Sequence, residues 1–311
     1  MALRGSVVIE VVVAGELYAD LIMGGFDFWP QPGQEAFARE FRREIGGGAA
    51  ITACGLATLG TATTLFGIAG SDSHVWIAER LAARGVDTAL LRTDANEPTA
   101  FTVAVSAPHD RAFFTYLGAN KGFTAALAEA AAAMLFDGAR HLHLAYAPPW
   151  DIAGSLFDAI HRNGCTLSLD AGWHEDWLAD PRALGMLGKV DVFFPNEIEA
   201  ARMTGETEPA RILHRFAEAG MPCVALKLGP EGSMLLHQGA VLHATPRKVS
   251  PVDATGAGDC FDAGFLYAWL RGEVPRRCLA AGNICGALST QAYGGIAGFP
   301  SHERLMMELN S

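Results

Sequence analysis

The sequence predicts an α/β fold with a mostly parallel central sheet flanked by helices, and a smaller β-sheet set apart from it. Short β-branched and apolar runs alternate along the chain with helical stretches, and strands separated by helices favour parallel pairing. The smaller sheet is indicated by two β-rich runs, at residues 99–105 and 111–117, which are joined by a short turn and predict a hairpin.

The elements follow in chain order. Strands of the central sheet are predicted at residues 7–13, 63–67, 142–144, 166–169, 192–194 and 223–227, with a hairpin at 233–237 and 240–243. Helices are predicted at residues 49–59, 75–83, around 156–161, from 197, and in two long closing stretches from near 258 and 279. We expect residues 26–29 and 35–41 to join the smaller sheet. The 311 residues therefore form one predicted domain, with the smaller sheet built by segments near 15–45 and 98–120.

Composition excludes several classes of protein. Half of the residues are hydrophobic and 18% are charged, which rules out a disordered chain. The net charge of −11 argues against a nucleic-acid partner, because that function needs a basic surface. No apolar stretch is long enough to span a membrane, and the six cysteines form no C-x-x-C pair. We therefore expect a cytoplasmic protein with reduced thiols, in which His141 and His143 are ordinary core or surface residues rather than metal ligands.

The sharpest local signal is the heptapeptide DATGAGD at residues 253–259, which is followed by apolar residues at helical spacing. A glycine loop that opens a buried helix offers its amides and the helix N-terminus to an anion. Asp259 either caps this helix or acts as a general base beside a transferred phosphate. In the second case the amides of Gly256, Ala257 and Gly258 surround the phosphoryl oxygens.

This loop belongs to none of the commonest nucleotide-binding types. The chain has no G-x-x-x-x-G-K-[ST] motif, and its first strand is not followed by G-x-G-x-x-G. The loop instead resembles the C-terminal signature of the PfkB/ribokinase-type carbohydrate kinase family, and five other segments are similar to that family in order and spacing. The resemblance implies a ribokinase-like fold in which the small β-sheet is a lid. It also implies ATP-dependent phosphorylation of a hydroxymethyl group on a sugar or sugar-like substrate.

Two segments resemble the substrate side of this family. Asp20, in the turn after the first strand, is implied to accept hydrogen bonds from sugar hydroxyls, although alone it would be an ordinary turn residue. Gly46 and Gly47 resemble a di-glycine that lets substrate approach the backbone near the lid hinge; a tight strand-to-helix turn would need glycine as well. Ile51 stands where the family usually has Asn, so the amide of a standard ribose or fructose contact is missing.

Two further segments resemble the nucleotide side. Asn196 and Glu199 match an Asn-x-x-Glu motif that organises Mg²⁺ and phosphate largely through water. Without the resemblance, Glu199 would be a first-turn helix acid. Lys227, with Gly229 and Gly232 after it, matches a nucleotide-side loop, where the lysine either meets a phosphate as a point charge or lies on the surface.

The remaining matches are less specific. Asn283 lies in a segment that resembles the adenine-pocket helix, and Asp170 resembles a polar position near the phosphates. Asp253 and Thr255 lie where several family members hold a monovalent cation, which makes K⁺ a candidate beside ATP and Mg²⁺. Lids pair into a homodimer in some members, and the resemblance leaves a lid-mediated homodimer open here.

Two alternatives to a sugar kinase stay open. A nucleoside kinase of the same family is the first, because Tyr18, Phe26, Phe28 and Trp29 would form an aromatic wall for a base unless they pack as lid core. A nucleotide- or sugar-binding regulator that kept the fold and lost catalysis is the second. The intact loop with Asp259 argues against the regulator.

Overall fold

The computed structural model describes residues 10–107 and 110–311. Within these ranges the chain forms thirteen strands and eleven α-helices. The strands are β1 (Val11–Gly15), β2 (Tyr18–Gly24), β3 (Glu40–Gly46), β4 (Thr63–Gly70), β5 (Leu91–Asp94), β6 (Phe101–Ala107), β7 (Asp110–Tyr116), β8 (His141–Ala145), β9 (Thr166–Asp170), β10 (Val192–Phe193), β11 (Cys223–Lys227), β12 (Ser233–His237) and β13 (Ala240–Ala244). The helices are α1 (Gly48–Thr58), α2 (His74–Ala82), α3 (Phe123–Ala132), α4 (Trp150–Arg162), α5 (Glu175–Leu178), α6 (Ala183–Leu187), α7 (Glu197–Thr204), α8 (Pro209–Glu218), α9 (Ala257–Trp269), α10 (Pro275–Ser289) and α11 (His302–Leu309).

Nine strands form the central sheet in the order β13-β12-β11-β10-β9-β8-β1-β4-β5. The pairs from β11 to β5 are parallel, and β12 and β13 add an antiparallel hairpin at one edge. The chain order reverses between β1 and β8. In open parallel sheets, ligands bind beyond the carboxyl ends of the strands at such a reversal.

The central sheet is buried on both faces, which explains why its strands are nearly continuous apolar runs. All eight residues of β4 are buried. One core contains Phe66 and Phe157, and the other, on the opposite face, contains Phe194 and Phe265. The predicted mostly parallel sheet with flanking helices is therefore confirmed.

A separate small sheet has the order β3-β2-β6-β7. Its two outer pairs are antiparallel, whereas β2 and β6 run parallel. Asp20 lies opposite Glu44 on one side and Thr102 on the other, so these three residues share one face. The other face carries Phe41 and Phe114, whose exposed fractions are 63% and 60%.

One local prediction is wrong, and part of another lies outside the described residues. Residues 26–29 form no strand, and of residues 35–41 only the last two are extended, because β3 begins at Glu40. Pro30 and Pro32 lack the backbone N–H that a strand ladder needs, which outweighs the aromatic composition of this stretch. Residues 7–9 of the first predicted strand lie outside the described residues, and β1 begins at Val11. No helix among the described residues has the length and apolarity needed to cross a bilayer.

Candidate active site

A cavity of about 450 Å³ lies at the carboxyl edge of the central sheet, beside the chain reversal. This volume is within the range of small-molecule sites. Its walls come from the ends of β1, β8, β9 and β11 and from the first turns of α7 and α9. The lining residues are Glu16, Tyr18, Gly48, Ala145, Tyr146, Asp170, Ala171, Gly172, His174, Asn196, Glu199, Lys227, Gly229, Ala254, Gly256, Ala257, Gly258 and Asp259.

The glycine loop before α9 forms one wall. Gly256 has φ +71° and is the N-cap of α9, so a side chain there would be strained. A Cβ on Gly256 would also lie 2.7 Å from Cδ1 of Ile51 and 2.8 Å from Cα of Gly295. The loop is thus held between α1 and the segment around residue 295. Its amides lie at the start of a 13-residue helix, where the helix dipole favours an anion.

Asp259 lies in the first turn of α9 and is half-buried against α1. A Cβ on Gly48 would lie 2.7 Å from its Oδ1, so the glycine makes room for the carboxyl group. Burial, and then the negative charge of Asp170, raise the pKa of Asp259 to about 7, against the opposing charge of Lys227. A carboxyl group with a pKa near 7 is suited to general base catalysis at neutral pH.

Lys227 is the cation of a compact group of acids that we call the carboxylate cluster: Asp170, Asp259, Asp262 and Lys227. The Lys227 ammonium lies 2.7 Å from Oδ2 of Asp170 and 3.3 Å from Oδ1 of Asp262. One carboxylate oxygen from each aspartate lies within 4.8 Å of the others. Although burial alone would raise it, the Lys227 charge lowers the pKa of Asp170 to about 2. Burial alone would lower the pKa of Lys227, but the surrounding acids raise it.

Asn196 and Glu199 begin α7 with a reciprocal pair of hydrogen bonds. Oδ1 of Asn196 accepts from the amides of Ile198 and Glu199 at 2.9 Å, and the Glu199 carboxylate accepts from the Asn196 amide at 2.8 Å. This capping box fixes both side chains at the cavity wall. Burial, and then the charge of Asp170, raise the pKa of Glu199 to about 7.

The opposite wall carries Tyr18 and Glu16, joined by a 2.5 Å hydrogen bond from the phenol to the carboxylate. Asp20 lies on β2 one pleat further along and packs directly against Gly46, whose Cβ position its carboxyl group occupies. Burial raises the pKa of Asp20 to about 6. Gly47, at φ +93°, turns the chain from β3 into α1.

Several of the predicted site residues do not line the cavity. Asp20, Gly46, Gly47, Gly232, Asn283, Asp253 and Thr255 are outside its lining. Nδ2 of Asn283 donates to the Ala244 carbonyl at 3.0 Å, and Gly232, at φ +94°, packs closely on the same carbonyl. Oδ1 of Asp253 accepts from the amide and hydroxyl of Thr255 at 3.0 and 2.7 Å, which stiffens the start of the glycine loop.

The aromatic residues proposed as a base-binding wall divide in the same way. Tyr18 lines the cavity, whereas Phe26, Phe28 and Trp29 lie on the connection between β2 and β3 and do not line it. Phe26 is buried, and Phe28 and Trp29 are partly exposed.

Sequence reasoning missed several residues of the site. Ala145 ends β8 and Tyr146 follows it, so both line the cavity, and His174 lines it after β9. Asp262 was missed although it follows Asp259 by three residues in a helix, a spacing that puts both on one face. That spacing was the available signal.

The fold and the site together define the class of protein. A mostly parallel sheet with a glycine loop at a helix start and an adjacent buried carboxyl group suits a phosphotransferase acting on an alcohol group. The family model described as pfkB family carbohydrate kinase matches residues 9–302. The chain belongs to this family.

Individual relatives agree with that assignment. The chain is 28% identical to a 2-dehydro-3-deoxygluconokinase of Bacillus subtilis, over 87% of this chain and 88% of the relative. It is 32% identical to an ATP-dependent ribose-1-phosphate kinase of Halopiger xanaduensis, over 92% and 93%. The structure of Arabidopsis thaliana ribokinase complexed with ribose and ATP superposes with a TM-score of 0.83 at 26% identity, covering 97% of this chain and 99% of that one.

Proposed function

We propose that this protein transfers the γ-phosphate of ATP to a hydroxymethyl group of a sugar or sugar-like substrate. The observation that carries the proposal is the position of Asp259. Its carboxyl group, with a pKa raised to about 7, lies beside the glycine-loop amides at the start of α9 and faces the cavity. A base and an anion-stabilising loop are the two parts that phosphoryl transfer to a hydroxyl requires.

The proposed reaction balances within these groups. Asp259 takes the proton of the substrate hydroxyl, whose oxygen forms a bond to the γ-phosphorus while the bond to the bridging oxygen of ADP breaks. The amides of Gly256, Ala257 and Gly258 donate to the oxygens on which negative charge gathers. ADP and the phosphorylated substrate leave, and Asp259 releases its proton to solvent.

Asn196 and Glu199 are the residues that would hold Mg²⁺ in this site. Their oxygen donors and their fixed orientation in the capping box fit a hard cation that keeps several of its waters. Bound Mg²⁺ would neutralise phosphate charge. Lys227, Gly229, Gly232 and Asn283 are proposed to contact the nucleotide beyond them.

Asp20, Gly46 and Gly47 are proposed to bind the substrate, with the small sheet, built from segments near 15–45 and 98–120, acting as a lid. Asp20 is partly buried against Gly46, and its carboxyl oxygens suit incoming hydroxyl groups as hydrogen-bond acceptors. Lid closure would exclude water and so limit wasteful ATP hydrolysis.

We also propose a monovalent cation, K⁺, beside Asp253 and Thr255. The Asp253 carboxylate is buried and bridges Thr255 and Gly294, whose amide donates to its Oδ2 at 2.9 Å. A cation there would stiffen the loop that leads to Gly256. Replacing KCl with tetramethylammonium chloride at constant ionic strength should lower kcat, and equal rates in the two salts would remove K⁺ from the proposal.

The decisive experiment is a substrate panel with ATP and Mg²⁺, followed by coupled detection of ADP. Neutral sugars, sugar acids, sugar phosphates and nucleosides form its four arms. Turnover of a sugar or sugar derivative supports the proposal, and the same arm should lose activity in Asp259→Asn. Turnover of adenosine or cytidine with no sugar turned over would replace it with a nucleoside kinase.

A homodimer through the small sheet is part of the proposal. The face opposite to Asp20 exposes Phe41 and Phe114, which a second copy of the sheet would cover. Phe114→Glu should convert a dimer into monomers in light scattering. Val75→Glu, at a 66% exposed apolar residue of α2, is the matched control and should leave the mass unchanged.

We place the protein in the cytoplasm for a chemical reason. All six cysteines are buried and free, which suits a reducing compartment.

A further inference from the structure

Asp262 is an acidic side chain in the core of the protein. Its exposed fraction is 0%, it lies on α9 one turn after Asp259, and it faces the end of β11. Oδ1 accepts from the Lys227 ammonium at 3.3 Å, whereas Oδ2 is buried without a hydrogen-bond partner among the described residues. A fully buried carboxylate with a free oxygen is costly, so this residue requires an explanation.

The role of Asp262 depends on the position of the Lys227 ammonium. The ammonium lies 3.3 Å from the position that a Cβ on Gly258 would occupy, directly behind the glycine loop. Two groups hold it there: Asp170 at 2.7 Å and Asp262 at 3.3 Å. A lysine side chain has a long, flexible stem, and two contacts fix its charge better than one.

The cluster contains more acids than its one cation can neutralise. The titratable groups that interact with the Asp170–Lys227 pair are Asp259 and Asp262 on α9, Glu199 on α7 and His143 on β8. Carboxylates this close do not all ionise, and the proton stays on the group that water reaches least. Asp170 has the closer ammonium and also accepts from the Gly172 amide at 3.0 Å. Asp262 has neither advantage, and burial raises its pKa well above the ordinary value.

We propose that Asp262 is a positioning residue of the phosphoryl-transfer site: a neutral, proton-bearing carboxyl group that holds Lys227 behind the glycine loop. Its carbonyl oxygen receives the ammonium, and its hydroxyl group has the Asp170 carboxylate within reach. Asp262 acts through Lys227, whose charge both supports the anion site and lowers the pKa of Asp259. This inference rests on the proposed function for its kinetic readout but not for its spectroscopic one.

Two substitutions at Asp262 distinguish a neutral carboxyl group from a charged carboxylate and from a purely structural residue. Asp262→Asn keeps an oxygen acceptor and a hydrogen-bond donor but cannot ionise, so kcat and the pH midpoint of kcat/KM should match those of the unaltered protein. Asp262→Leu has a similar shape without an acceptor. It should lower kcat by up to about 100-fold, the cost of a misplaced group, and move the acid limb of kcat/KM to higher pH. Ser233→Ala, a buried polar substitution opposite Lys227 in the sheet, is the control and should change neither quantity.

Each contrary outcome is informative. If Asp262→Asn is as impaired as Asp262→Leu, the residue works as a charged carboxylate and the neutral form is overturned. If both variants lose thermal stability but keep the pH profile and kcat, Asp262 is only structural and the positioning role is overturned.

Infrared spectroscopy tests the proton without any substrate. At about pH 9, Asp20, Glu199 and Asp259 are ionised, because their pKa values are about 6, 7 and 7. The carbonyl band of a protonated carboxylic acid should remain in the unaltered protein and disappear in Asp262→Asn. Its absence from the unaltered protein would overturn the inference even if kinase activity is found, and its presence would uphold the protonation even if no substrate is turned over.

Discussion

Two groups of buried polar side chains meet at the same face of β8 and β9, and burial affects the pKa values of their titratable groups differently. The first is a histidine row along the strands: His141 contacts Thr166 at 2.8 Å and Ser168 at 2.7 Å, and His143 contacts Ser168 at 2.8 Å. Burial lowers the pKa of His141 to about 3 and that of His143 to about 4. These rings are neutral and inert near pH 7.

The second group is the carboxylate cluster, which begins at Asp170, two residues along β9 from Ser168. It contains a cation, Lys227, and opens onto the cavity. With that cation present, burial brings the pKa of Asp259 to about 7. Burial alone keeps the histidines neutral near pH 7. Burial beside the fixed charge of Lys227 leaves Asp259 able to gain and lose a proton near that pH.

The largest expected effect is a loss of activity when Asp259, a member of the carboxylate cluster, is replaced. Asp259→Asn should lower kcat by about 10²- to 10⁴-fold, because the proposed general base is lost, while the affinity for ATP changes little. Steady-state kinetics and calorimetric titration with ATP measure the two quantities. A kcat equal to that of the unaltered protein would remove Asp259 from the base role.

The next effect concerns the cation. Lys227→Met leaves Asp170 buried without its partner and should lower the free energy of unfolding by about 3–5 kcal/mol at pH 8. Lys189→Met is the matched control. It breaks an ion pair with Asp158 whose side chains are 41% and 50% exposed, and should cost less than about 1 kcal/mol. Equal losses in urea unfolding would contradict the comparison.

The histidine row should control acid stability. The folded-state pKa values of about 3 and 4 lie below the ordinary 6.5, so its contribution is present above pH 6.5 and lost as the pH falls towards 4. His143→Leu removes one titrating ring. Below pH 6.5 the free energy of unfolding should then fall less steeply, by up to about 1.4 kcal/mol per pH unit. Parallel stability curves for the two proteins would show that the pKa of His143 is the same in the folded and unfolded states.

The smallest effect tests whether the two groups are independent. Ser168→Ala removes the hydroxyl group shared by both histidines and should cost about 1–3 kcal/mol of stability. The pH midpoint of kcat/KM should stay where it is. Ser155→Ala, which removes an exposed local hydrogen bond, should change stability by less than about 0.5 kcal/mol. A displaced midpoint in Ser168→Ala would mean that the pKa of Asp259 depends on the histidine row.

Much of this arrangement could be predicted because it follows from periodicity. Parallel strands end at one edge of a sheet, so apolar runs followed by Asp170, Asn196 and Lys227 predict a common location for those side chains. The glycine loop and Asp259 were visible for a similar reason: they precede a strongly apolar helix.

The rest depends on packing between distant segments, which local patterns do not specify. The contact between Lys227 and Asp262 requires a given rotation of α9 over β11. Ile51 is a second case. In sequence it is only a departure from a family pattern, whereas in the fold it packs on Gly256 and Gly295 and supports the glycine loop with an apolar contact.

The burial of every native thiol has a practical consequence. Burial raises the pKa of Cys54, Cys223 and Cys278 to about 12, so little reactive thiolate forms near neutral pH. A single cysteine introduced at Phe37, a 76% exposed residue in the connection that leads into β3, should therefore accept a maleimide dye while all six native cysteines are kept. Fluorescence from that one label would report the movement of the small sheet in real time as ligands are added.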